Sequence, residues 1–110
     1  MNMYGNQLTS PKITVFKKTP EINKPKNIEM ILGVEDKLLI EIEVLNILED
    51  SSLIIKNKNS KAISIEFIED ELFYTKKIYR FNIKALSRKK SKVVLNYKNA
   101  TKTSFWVKVL

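Results

Sequence analysis

The sequence predicts an all-β domain, an antiparallel sandwich of about seven strands preceded by an N-terminal arm. Three observations lead there. Apolar residues recur with period two in segment after segment, the spacing of strands with one buried face. Clusters of Asn, Ser, Asp, Glu and Lys interrupt these segments every 8–15 residues, as turns do in sandwiches. No segment sustains an i, i+3, i+4, i+7 stripe for three turns except residues 38–48. There Ile40, Ile42 and Val44 are β-branched and alternate cleanly with Glu41 and Glu43, so strand is the better fit.

Taken in order, residues 1–27 form an arm or loop, polar at first and then interrupted by Pro11, Pro20 and Pro25. Each proline removes a ladder donor, which suits a loop or a sheet edge. Within the arm, Ile13-Thr14-Val15-Phe16 alternates and reads as a short strand. The domain proper spans residues 28–110. Ile28, Met30 and Leu32 open it, followed by Gly33 and an acidic turn at Glu35-Asp36. Residues 38–44 are a half-buried strand, and Glu49-Asp50-Ser51-Ser52 is a turn. Leu53-Ile54-Ile55 is a short apolar strand, then Asn57-Lys58-Asn59-Ser60 turns the chain. Ile63, Ile65 and Phe67 share a face, and Glu69-Asp70-Glu71 is expected to be an acidic turn. Tyr79, Phe81, Ile83 and Ala85 form the next inward row, with a basic turn over residues 87–92. Val93, Leu95 and Tyr97, then Phe105, Val107 and Val109, complete the set.

Composition excludes much chemistry. The chain has 110 residues, which suits one domain, and 44% of them are apolar, too many for a disordered chain. With no Cys and no His there is no disulfide, thiolate nucleophile, zinc or haem ligand, or imidazole base. No apolar run approaches the length of a membrane-spanning helix. The first residues, Met1-Asn2-Met3-Tyr4-Gly5-Asn6, show no basic region followed by an apolar one, so an intracellular protein is expected. Ser87 and Ser91 stand beside Arg88, Lys89, Lys90 and Lys92, but several cations in one turn read as a solvated loop rather than a Ser–Lys pair. Glu66, Glu69, Asp70 and Glu71 lack the spacing and the glycine of a calcium loop, so no metal is expected. The domain is expected to be non-enzymatic and to need no cofactor.

The segments from Ile28 to Ile42, with Met30, Leu32-Gly33, Glu35-Asp36, Leu38 and Ile40 between, resemble the opening of chagasin-type cysteine-protease inhibitors. The rows Tyr79-Phe81-Ile83-Ala85, Val93-Leu95-Tyr97 and Phe105-Val107-Val109 resemble their last three strands. The resemblance implies an immunoglobulin-like sandwich and, as one function, inhibition of a protease or another enzyme. The signature loops of those inhibitors have no counterpart here. Asn46-Ile47-Leu48-Glu49-Asp50-Ser51 stands where an Asn-Pro-Thr-Thr-Gly-Tyr type loop belongs, and Tyr97 leads into Lys98-Asn99-Ala100-Thr101 rather than an Arg-Pro-Trp type motif. No inhibitory residue carries over.

Charge is segregated along the chain. Residues 1–75 hold 9 basic and 12 acidic residues, whereas residues 76–110 hold 11 basic and no acidic ones. Arg80, Lys84, Arg88, Lys89, Lys90, Lys92, Lys98 and Lys108, with Trp106 among them, would make one basic surface if the last strands were neighbours. Part of this excess reflects a Lys-, Asn- and Ile-rich composition. A protein-binding or assembly module, using an edge strand, loops or this basic face, is the expected function. Its partner is another protein or further copies of itself. Nucleic-acid binding is the alternative: the lysines would follow phosphates while Trp106 stacks on a base. The alternating pattern runs to Leu110, so the last strand is expected to be an edge open to strand addition.

Overall fold

The computed structural model describes residues 19–23 and 29–110. The strand expected at Ile13–Phe16, like most of the arm, lies outside the described residues. Eight strands are present: β1 (Glu21–Asn23), β2 (Glu29–Leu32), β3 (Lys37–Leu45), β4 (Ile54–Asn57), β5 (Ile63–Phe73), β6 (Lys76–Ala85), β7 (Lys90–Asn96) and β8 (Thr103–Val109). They form two four-stranded sheets, in the orders β1-β3-β6-β5 and β2-β8-β7-β4. All pairs are antiparallel except β2 with β8, where Glu29 faces Trp106 and Leu32 faces Val109 in parallel register. With β2 set aside as an added strand, this is the four-plus-three strand order of an immunoglobulin-like sandwich. Among the described residues no helix is long and apolar enough to cross a membrane.

The period-two rows become the two inner faces. Ile40, Ile42 and Val44 of β3 pack with Tyr79, Phe81, Ile83 and Ala85 of β6 on one side of the core. Val93 and Leu95 of β7, Tyr97, and Phe105, Val107 and Val109 of β8 supply the other. Most of these side chains are fully buried. Burying one such side chain is worth about 1.5–3 kcal/mol, so a core of this size sustains the fold without a disulfide. Tyr97 adds a polar tie. Its hydroxyl donates to the Leu48 carbonyl at 3.1 Å and accepts from the Leu48 amide at 2.9 Å. It thereby clamps the crossover from β3 in the first sheet to β4 in the second.

Three expectations about strands are corrected. Glu69, Asp70 and Glu71 do not turn the chain but lie within the 11-residue β5. A β-bulge between Phe67 and Glu69 resets the phase, and cations on β6 face the three acids, so the strand continues. The turn falls instead at Tyr74-Thr75, where Tyr74 has a φ of 54°. The basic turn is shorter than residues 87–92, because Lys90, Ser91 and Lys92 already pair with β8. The last strand is not an edge. β8 lies between β2 and β7, and among the described residues the edge strands are β1 and β5 in one sheet and β2 and β4 in the other.

Candidate functional site

The chain crosses from one sheet to the other between Ala85 and Lys90, and this divides the expected basic surface. β6 belongs to the sheet opposite β7 and β8. Arg80 and Lys84 therefore lie on the outer face of the first sheet, and Lys90, Lys92, Trp106 and Lys108 on the outer face of the second. Arg88 and Lys89 occupy the connection before β7, and Lys98 the turn after it, at opposite ends of a 7-residue strand. That separation is on the order of 20 Å. The nine residues are not one surface.

Arg80 is committed to its own sheet. Its Nε donates to Glu41 at 2.6 Å, and its Nη1 donates to Glu69 at 2.8 Å and Glu71 at 2.9 Å. These bonds, Glu41 first, raise the guanidinium pKa above its already high ordinary value. Lys84 lies 3.5 Å from Glu35, Lys77 3.8 Å from Asp70, and Lys76 2.9 Å from Glu43. Of the four acids in this stretch, Glu69, Asp70 and Glu71 are thus paired with cations and Glu66 makes no salt bridge among the described residues, where no metal-binding cluster occurs. The serines are also engaged. Ser87 Oγ donates to the Lys61 carbonyl at 2.6 Å, and the buried Ser91 Oγ donates to Asn57 Oδ1 at 2.6 Å.

The second sheet keeps a smaller basic cluster. Lys90 and Lys92 stand over the Trp106 ring, 5.0 and 6.0 Å from its centroid. The register places Lys92 opposite Trp106 and Lys90 opposite Lys108. None of these lysines makes a salt bridge among the described residues. Beside them a shallow concavity of about 400 Å³ is lined by Lys58, Lys92, Lys102, Thr103 and Ser104. Lys58 and Lys102 come from turns distant in sequence, which is why the charge reading missed them.

The most distinctive surface is the β5 edge, which the sequence reading truncated. Every residue of β5 from Glu66 to Phe73 is exposed. Phe67 is 53% and Leu72 60% exposed, and Ile68 and Phe73 join them. Phe67 pairs with the buried Phe81 and so belongs to the inward row, yet it stands outside the covered part of the core. Tyr74 at the hairpin tip is 99% exposed. Its φ of 54° is a left-handed conformation that bulky residues rarely adopt. The strand holds no Lys, Arg or Pro. The sequence did carry a signal of its length. The apolar row Ile63, Ile65, Phe67 resumes at Leu72 after a one-residue phase slip at Ile68.

No known family model matches the chain, and no curated protein matches it in sequence.

Proposed function

We propose that the protein is a non-enzymatic binding and assembly module that takes up a strand from another chain along the β5 edge. The observation that carries this reading is an 11-residue edge strand whose apolar side chains from Phe67 to Phe73 stand exposed on both faces. An edge presents unpaired amide and carbonyl groups, which template a further strand, while neighbouring side chains choose it. Edges are blunted by inward-pointing charge or by a β-bulge, and the bulge at Ile68 confines strand addition on β5 to the straight runs on either side of it. Here Arg80 occupies Glu69 and Glu71, and Lys77 occupies Asp70. The apolar residues between them are left as the accessible feature. The retained negative charge, with no cation on β5 itself, selects a strand that is basic and apolar by turns.

A labelled peptide of alternating lysine and valine tests this. Saturable binding, with slowed hydrogen exchange at β5 amides and loss in Ile68→Lys, is expected. Ile68 is 45% exposed, so the added charge leaves the core intact. Absence of binding, or binding indifferent to Ile68→Lys, refutes the reading.

A second reading rests on Lys90 and Lys92 over Trp106. This cluster suits single-stranded nucleic acid, phosphates on the ammonium groups and a base on the indole. Quenching of Trp106 emission by an oligonucleotide, weakening steeply with salt, supports it, and unchanged emission at low salt refutes it. Protease inhibition through a chagasin-like fold is the remaining alternative. It is tested by titration against papain-like enzymes.

A further inference from the structure

We infer that the strand received by β5 is residues 12–18 of a second copy of the same chain, so that copies join head to tail. This rests on the proposed use of the β5 edge and names its occupant. The segment reads Lys12-Ile13-Thr14-Val15-Phe16-Lys17-Lys18, an alternating apolar run with lysines at both ends and no acid. β5 reads the opposite way: its four acids, Glu66, Glu69, Asp70 and Glu71, outnumber the two cations that pair with them, Arg80 and Lys77, so the edge stays net negative. Length also matches. The bulge divides β5 into two straight runs, Ile63–Phe67 and Glu69–Phe73. The second run is exposed throughout and is as long as Lys12 to Phe16.

Charge disfavours the other copy-to-copy arrangement. Two β5 strands pairing with each other would set their carboxylates side by side, and like charges directly opposite destabilise a sheet.

The topology directs the segment to a neighbour rather than to its own edge. β1 and β5 are the two opposite edges of one sheet. A strand added outside β5 would lie four spacings from β1, about 19 Å. Thr19 is still held at the β1 side, where its carbonyl accepts from Asn46 Nδ2 at 3.2 Å, and Pro20 is buried. From Thr19 to Phe16 the chain reaches about 11 Å at most. Phe16 therefore cannot pair with its own β5. A donor segment leaving one edge and an acceptor on the other make a heterologous contact, which propagates into rings or filaments.

Two full-length variants test the inference by native mass spectrometry. Val15→Pro removes a donor from the middle of the arm segment, and Ile68→Lys places a cation on the acceptor edge. The unmodified chain is expected to form multimers that grow with concentration. Each variant alone is expected to be monomeric. Mixed together they should form a one-to-one dimer and nothing larger, because one can only accept and the other only donate. If Val15→Pro alone still multimerises while Ile68→Lys does not, the edge is used but the arm is not its occupant, and the inference falls. A monomeric unmodified chain that binds the lysine–valine peptide also overturns the inference while leaving the strand-addition reading intact. A chain that neither multimerises nor binds that peptide overturns both.

Discussion

Removing one oxygen atom from Tyr97 should loosen the join between the two sheets. In Tyr97→Phe the ring still fills its buried site, but the Leu48 amide loses its acceptor at 2.9 Å and the Leu48 carbonyl its donor at 3.1 Å. The Ser51 carbonyl, 3.4 Å away, loses a weaker contact. A buried polar group left unsatisfied costs about 1–3 kcal/mol. Leu48 is only half-buried, so water recovers part of that, and a loss of about 1–2 kcal/mol is expected. For a domain of this size that is roughly 5–10 °C in Tm. Tyr79 provides the control. Its hydroxyl is buried beside Leu53 and Ser52 but makes no hydrogen bond of good geometry to either, or to any other of the described residues. Burial accordingly raises its pKa above the ordinary phenol range. Tyr79→Phe deletes the same atom but strands no partner, so it should be neutral or stabilising. Urea unfolding followed by the single tryptophan, Trp106, compares the two at constant m-value. Equal losses in both variants, or a neutral Tyr97→Phe, would refute the accounting.

Further outcomes follow from the strained tip and the β1 edge. Tyr74→Gly should stabilise the domain by about 1 kcal/mol, since glycine adopts the positive φ without steric cost; a lower thermal midpoint would contradict this. Glu43 accepts hydrogen bonds from Lys76 and Asn23, both at 2.9 Å, and these hold its pKa below the usual 4.5, Lys76 contributing most. A lowered folded-state pKa adds stability above about pH 4.5 that disappears as pH falls through the folded value. The chain should therefore exceed Glu43→Gln in urea midpoint at neutral pH and converge with it in acid. A gap that stays constant with pH counts against this. Arg80→Lys should make the thermal midpoint more sensitive to salt, because one ammonium cannot hold three carboxylates in a fixed fork. Identical salt profiles would argue that the cluster is incidental.

The fold was legible because burial on one face writes itself into the sequence. Ile40, Ile42 and Val44, or Phe105, Val107 and Val109, alternate strictly since every second residue meets the core. The alternation loses its meaning where that rule is interrupted. At Ile68 one extra residue shifts the phase, and the acids beyond it have the composition of a turn, since the cations on β6 that hold them in a strand lie elsewhere in the sequence. The short β1, Glu21–Asn23, is too brief to show a period at all. Its neighbourhood of prolines read as a loop or a sheet edge, and the chain there is an edge strand.

The candidate surfaces were less legible, because each joins residues from distant segments. Arg80 reads as one more cation in a basic stretch, yet Glu41 and Glu71 reach it from strands on either side. Lys58 and Lys102 meet Lys92 only because β4 and β8 flank β7.

By itself the sequence determined the all-β class, the identity of the core rows and the chemistries closed to a chain without His or Cys. These depend on local alternation and on which functional groups exist, and both are properties of the chain before it folds. The tertiary structure alone decided which strands became neighbours. It split the basic last third between opposite faces, enclosed the final strand and left β5 as the open edge. Strand order arises from how two sheets share one core, and side chains obey the same inward–outward rule whichever strand lies beside them.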